Sequence, residues 1–163
     1  MKMFRNVAIA VAGAALVSGA AITAAQAQAE TPWCTGADLV ISAHDMRSPT
    51  IASKAHWIRF APAEGADCRI GGSLSNVRFL DANGEDMNVP LAGGQGEYSE
   101  ALVGGNHEAA VYVSSQSHGP RVNPASIRFD LPGQGSLGDR VTVAWPSGLG
   151  AIVRIGNLMA PVS

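Results

Sequence analysis

The stretches AAVYVSS (residues 109–115), ASIRFDL (residues 125–131) and DRVTVAW (residues 139–145) decide the fold class, because each alternates apolar and polar residues. Alternation with a period of two puts one face of a strand in a core and the other in water. Gly, Pro and Asn separate the three segments, as is typical of turns between strands. The stretch therefore predicts consecutive antiparallel strands and no helix.

The same pattern recurs before and after this stretch. Five further segments are predicted as strands: ADLVISA (residues 37–43), AHWIRFAP (55–62), SNVRFLD (75–81), DMNVPL (86–91) and GAIVRI (150–155). Asn83-Gly84 marks a tight turn between two of them. Eight alternating strands predict an all-β domain whose antiparallel sheets pack face to face as a β-sandwich, with a closed barrel as the second alternative.

Two segments interrupt this rhythm, residues 92–107 and residues 117–124, and both are rich in Gly, Asn or Pro. They are predicted to be long loops. Loops of this size are either mobile connections or the place where binding occurs, and the sequence does not choose between the two.

Residues 1–29 have the three parts of a secretory signal peptide: a short basic start, an apolar centre and an end of small residues. A retained membrane anchor over residues 7–25 is the competing interpretation, but Ala and Gly dominate that run and favour insertion only weakly. Cleavage is expected after Ala29, with Ala27 as the alternative. The prediction is a single domain over residues 30–163, secreted to the cell envelope or beyond, with no membrane span.

Cys34 and Cys68 are the two cysteines of the chain. In an oxidising compartment an even pair is most simply a disulfide, whereas a metal or redox pair is expected at close spacing. A bond between them would close a loop of about 35 residues and stabilise the fold by about 4 kcal/mol in the chain-entropy model.

The composition argues against nucleic acid as a partner. The chain is 47% hydrophobic and 15% charged, with a formal net charge of −2, and its arginines are not clustered. Lys2 and Arg5 lie in the predicted leader, so the remainder is more acidic still. Neutralising a run of phosphates requires a basic patch, which this sequence does not contain.

The candidate catalytic and metal-binding motifs are weak, and no catalytic, cofactor or metal residue is predicted. GQGSLG (residues 133–138) fits the G-x-G-x-x-G pattern, but a strand follows it where a phosphate cradle needs a helix. The four histidines, His44, His56, His107 and His118, lack chelating spacing and are expected to be solvated loop residues. There is no G-x-S-x-G elbow for a serine hydrolase.

Two pairs of carboxylates are candidate acid–base groups. Glu85 and Asp86 are neighbours on a predicted strand and therefore point to opposite faces. Glu97, Tyr98 and Glu100 form an acidic and aromatic loop tip. A solvated tip is the simpler interpretation, and a site that binds a sugar or a peptide is the alternative. The three tryptophans, Trp33, Trp57 and Trp145, are expected to pack rather than to form a stacking platform.

The order of several short motifs resembles a known family, the secreted bacterial domain of unknown function 4232. The motifs are CTGADL (34–39), CRIGG (68–72), VRFLD (77–81) with NG (83–84), GG (104–105) before AAVYV (109–113), and PASIRF (124–129) ending at LPG (131–133). The resemblance implies an immunoglobulin-like sandwich at the bacterial surface with the first cysteine bonded to the second. The family often has a second cysteine pair, which this chain lacks, and the resemblance implies no activity.

The expected function is that of a non-enzymatic binding or interaction module whose partner is an envelope or extracellular protein or glycan. The alternative is a small extracellular hydrolase or metal-binding protein that uses loop residues near His107 and Glu108. A structural envelope component is a third possibility.

Overall fold

Strands make up the regular structure of residues 29–93 and 96–162, the parts of the chain that the computed structural model describes. Apart from a short 3-10 turn at Gly36–Asp38, the described residues contain no helix. The strands are β1 (Leu39–Met46), β2 (Ser53–Pro62), β3 (Asp67–Gly71), β4 (Ser75–Leu80), β5 (Leu91–Gly93), β6 (Glu100–Gly104), β7 (Ala109–Gln116), β8 (Ser126–Pro132), β9 (Leu137–Ala144) and β10 (Val153–Ile155). The all-β prediction is confirmed.

The strands form three sheets. A five-stranded sheet has the order β1-β2-β7-β10-β5, a three-stranded sheet has the order β4-β8-β9, and β3 pairs with β6. All pairs are antiparallel except β10 with β5. The central strand of the largest sheet is β7, one of the segments whose alternation predicts a strand.

Buried residues from all three sheets form one hydrophobic core. Along β2, His56, Ile58 and Phe60 are buried, while Trp57 between them points to the other face. The rings of Phe60 on β2 and Phe129 on β8 meet edge to face, with centroids 6.1 Å apart. This contact joins the inner face of the five-stranded sheet to that of the three-stranded sheet.

Residues 86–91 do not form the predicted strand, and that prediction is wrong. Asp86 makes only an isolated bridge to Leu80, and strand pairing resumes at Leu91. The cause is local: the Asp86 carboxylate accepts the Asn88 amide at 2.8 Å, and Asn88 adopts a positive φ of 50°. This turn ends the extended conformation after one bridge.

The predicted loop over residues 92–107 is wrong in part, because it contains β6. Ala101 and Val103 of β6 are buried and pair with Ile70 and Cys68 of β3, a strand that the prediction also missed. Both strands have only five residues, and β6 carries three apolar residues in succession, Ala101, Leu102 and Val103. The second predicted loop, residues 117–124, contains no strand.

Cys34 and Cys68 form the predicted disulfide. The bond joins the segment before β1 to β3, and both sulfurs are buried. Backbone hydrogen bonds from Cys34 to the Arg69 carbonyl (2.9 Å) and from Arg69 to the Pro32 carbonyl (2.8 Å) continue the link. The N-terminal segment is therefore fixed to the core by covalent and backbone bonds together.

The predicted leader, apart from Ala29, and the cleavage site after Ala27 lie outside the described residues. Within residues 29–93 and 96–162 there is no helix of the length and apolarity that a membrane crossing requires.

Candidate functional site

A groove of about 840 Å³ lies on the outer face of the five-stranded sheet. Strand register explains how its floor forms. Ala55 of β2 lies opposite Met46 of β1 and Ser114 of β7, and Ser114 lies opposite Arg154 of β10. Residues directly opposite each other in adjacent strands share a face, so these four side chains cross the sheet in one row.

Three segments form the walls of this groove: the end of the β1–β2 hairpin, the chain before β6, and the tail after β10. The lining residues are Met46, Pro49, Ala55, His56, Gly93, Gly96, Glu97, Ser99, Tyr112, Val113, Ser114, Arg154, Gly156, Asn157, Leu158, Met159 and Val162. A concave site of several hundred Å³ with an apolar lining and a few polar groups is the usual form of a small-molecule site.

Hydrogen bonds hold two of these walls together. The Asn157 side-chain amide donates to the carbonyls of Gly96 and Glu97, at 2.9 and 3.1 Å. The Val162 amide donates to the Tyr112 hydroxyl at 2.9 Å. The tail after β10 is thereby tied both to the chain before β6 and to the floor of the groove.

An aromatic row continues the outer face beside the groove. His44 on β1 stacks on Trp57 of β2 with ring centroids 5.4 Å apart, and Trp57 lies opposite Tyr112 on β7. Trp57 is half-buried, and its ring lies on the outer face. Trp145 is 6% exposed and packs in the core, as expected, and Trp57 packs on His44 at the outer face.

A second polar cluster joins Asp45, His56 and Ser147 at the edge of the core. The Ser147 hydroxyl donates to Asp45 Oδ1 at 2.5 Å and lies 3.0 Å from His56 Nε2, which is 3.2 Å from the same Asp45 oxygen. Trp145 packs on the imidazole with ring centroids 4.8 Å apart. The expectation of a solvated loop histidine is wrong for His56, which is 1% exposed on β2.

This cluster lacks the geometry of a catalytic triad. In a triad the carboxylate holds Nδ1 of the histidine, and the serine faces Nε2. Here Asp45 and Ser147 both lie at Nε2, and the buried Nδ1 has no hydrogen-bond partner among the residues that the structure describes. The Lys54 ammonium donates to the Gly148 carbonyl at 2.8 Å. Together these contacts connect β1 and β2 to the segment after β9, and they serve the fold.

Acidification is expected to destabilise the folded chain through His56. Burial lowers the pKa of this imidazole below its usual 6.5, with a smaller decrease from Lys54, and both outweigh the increase that Asp45 causes. As the pH falls below 6.5, the unfolded chain takes up a proton that the folded chain resists. The free energy of unfolding therefore falls toward the folded-state pKa, by at most about 1.4 kcal/mol per pH unit.

Urea unfolding at about pH 7.5 and 5.5, on either side of the usual histidine pKa, measures this loss. His56→Gln keeps a donor near Ser147 but does not titrate, so its profile is expected to be flatter in this window. His118→Gln, which changes an exposed histidine, is the control and should keep the wild-type slope. An H56Q profile as steep as that of the wild type would contradict the assignment.

The loop residues that the sequence offers as candidates for chemistry form contacts within the fold. Glu108 forms a bidentate ion pair with Arg59, which lowers the pKa of the carboxyl, and His107 closes the turn between β6 and β7. Tyr98 donates to Glu100 at 2.6 Å. No group of three or more His, Cys, Asp or Glu side chains in residues 29–93 and 96–162 could hold a metal ion.

The remaining candidate motifs lie in turns and in contacts within the fold. GQGSLG (residues 133–138) connects β8 to β9, as predicted, with Gly135 at a φ of 71° and no helix after it. Asp86 pairs with Arg78, and the Arg69 guanidinium lies over the Trp33 ring, 5.3 Å from its centroid.

The sequence predictions missed the groove residues Tyr112, Ser114 and Arg154. The alternating pattern of the sequence shows that each of these side chains points outward from its strand, but it does not show that the three lie together. What places them together is the strand order β2-β7-β10, which the sequence does not state.

The comparisons with known proteins add no assignment. No protein-family model matches this chain, and no curated protein or solved structure is significantly similar to it.

Proposed function

We propose that this chain is a secreted, non-enzymatic binding module with an immunoglobulin-like sandwich fold, and that the groove on the outer face of the five-stranded sheet is its binding site. We also propose that it belongs to the family of secreted bacterial domains of unknown function 4232. The signal-peptide pattern of residues 1–29 and the order of the motifs support these assignments. The disulfide is consistent with an oxidising compartment.

The groove itself is the observation that carries the binding proposal. It brings exposed apolar side chains, Met46 (41% exposed), Met159 (37%) and Val162 (61%), together with the polar groups of Ser114 and Arg154 on one concave surface. Contiguous apolar surface with a few polar groups typically marks a site of interaction. The Asp45–His56–Ser147 cluster and Glu108 are committed to contacts within the fold, so no described contact favours the hydrolase or metal-binding alternative.

Filling the groove is expected to abolish binding. Ser114 is exposed at the floor, so Ser114→Trp places an indole in the groove without entering the core. Leu102→Trp is the matched control, because Leu102 is 55% exposed on β6, in a different sheet and outside the groove lining. Native mass spectrometry of each form, recovered from the extracellular fraction of its host, measures the bound mass.

The wild type and L102W are expected to retain an added mass that S114W loses. Equal added mass on S114W and L102W would show that the groove is not the site, and a bare wild-type chain would remove the support for the proposal. The same spectra test secretion, since a chain beginning at Glu30 or Gln28 is expected.

A further inference from the structure

Arg154 is the cation of the groove, and its guanidinium has no ion pair or hydrogen bond to any residue in 29–93 and 96–162. It is exposed at the outer face of β10, between Ser114 on β7 and Ala92 on β5. Four other arginines on the sheets are ion-paired: Arg59, Arg69, Arg78 and Arg140. Arg47, Arg121 and Arg128 also have no ion pair to a described residue, but none of them lines the groove.

The surroundings of Arg154 define the chemistry that would complement it. Its guanidinium offers planar, paired donors, which match a carboxylate better than any neutral group. The neighbouring wall is apolar and adaptable, because Met46 and Met159 are flexible thioethers beside the Tyr112 ring. Glu97 is the one acidic residue among the described residues that line the groove, and it disfavours a ligand with a second negative charge.

We propose that the groove binds a small organic monocarboxylate, whose carboxylate pairs with Arg154 and whose apolar body lies against Met46, Tyr112 and Met159. This inference rests on the proposed function, since it names the ligand class of the same site. The groove volume of about 840 Å³ accommodates a ligand of this kind with room for an aromatic ring or a short alkyl chain.

Two probes that share an apolar body and differ in the head group, one an anionic carboxylate and the other a neutral hydroxyl, test the inference. Phenylbutyrate carries the carboxylate, and phenylbutanol has the same apolar body with a neutral hydroxyl. Calorimetric titration of residues 30–163 with each probe is expected to show that phenylbutyrate binds about tenfold more tightly, as one charge-assisted contact warrants.

Arginine variants test whether Arg154 causes the preference for phenylbutyrate over phenylbutanol. Arg154→Gln is expected to remove the preference for phenylbutyrate, and Arg154→Lys to retain part of it, because lysine keeps the charge but loses the bidentate geometry. Arg121→Gln is the matched control: it removes an equal charge at an exposed arginine outside the groove and should leave both affinities unchanged. A melting curve like that of the wild type is required of all three variants, to establish that they are folded.

Three results would overturn the inference. If phenylbutanol binds as tightly as phenylbutyrate, or if R121Q weakens phenylbutyrate as much as R154Q does, then Arg154 does not select a carboxylate. If neither probe binds the wild type, the ligand class is wrong. In all these cases the proposed function is tested separately, by the mass spectra of S114W and L102W. A failure of the monocarboxylate inference is therefore distinguishable from a failure of the proposed function.

Discussion

Replacing both Cys34 and Cys68 with alanine is expected to lower the free energy of unfolding by about 4 kcal/mol in the chain-entropy model. The bond joins positions 34 residues apart, and the loop that it closes contains β1 and β2, which form one side of the five-stranded sheet. Without the bond, the unfolded chain regains the freedom of that whole loop. Both cysteines are at most 5% exposed, so alanine also leaves small cavities in the core.

Thermal unfolding of wild type and C34A/C68A measures this effect. A loss of about 4 kcal/mol corresponds to about 15 °C in Tm for a domain of this size. The wild type in excess thiol is the control, and its Tm should fall toward that of the double variant. An unchanged Tm in both experiments would contradict the role of the bond.

Phe129→Ala is expected to cost about 3–5 kcal/mol, the usual loss when a fully buried phenylalanine becomes alanine. Phe129 on β8 is 0% exposed and packs edge to face on Phe60 of β2. The substitution therefore removes a contact between two sheets as well as apolar burial. Urea unfolding at neutral pH measures the change.

Two variants separate this contact from general effects of mutation. Phe129→Leu keeps most of the buried volume and is expected to lose clearly less stability than F129A. Leu102→Ala truncates an apolar residue that is 55% exposed and should change the free energy of unfolding by less than about 0.5 kcal/mol. Equal losses for F129A and L102A would show that the sheets do not share the core described above.

Local alternation predicts the strands well where one face is buried along several residues. β2, β7 and β8 are such strands, and their bounds differ from the prediction by at most two residues. Alternation fails over residues 86–91, where Asp86 and Asn88 form a turn, and it is too short to be recognised in β3 and β6. A side chain that bonds the local backbone overrides a pattern of hydrophobicity.

The groove is harder to predict because it depends on strand order. Tyr112, Ser114 and Arg154 lie on strands separated by residues 117–152, and β10 reaches β7 only after two other strands have formed a different sheet. The disulfide, by contrast, follows from counting cysteines. Sequence patterns therefore identify the elements and the covalent link, while the site arises from non-local pairing.

Oxidation of the methionines by hydroxyl radicals tests the central claim, that the outer groove is the binding site, most directly. Met46 and Met159 line the groove and are 41% and 37% exposed, whereas Met87 is partly exposed and lies outside it. In the presence of the host's extracellular fraction, we expect oxidation of Met46 and Met159 to slow relative to that of Met87, which corrects for the radicals that the fraction consumes. Unchanged rates at Met46 and Met159, or equal slowing at all three, would contradict the account.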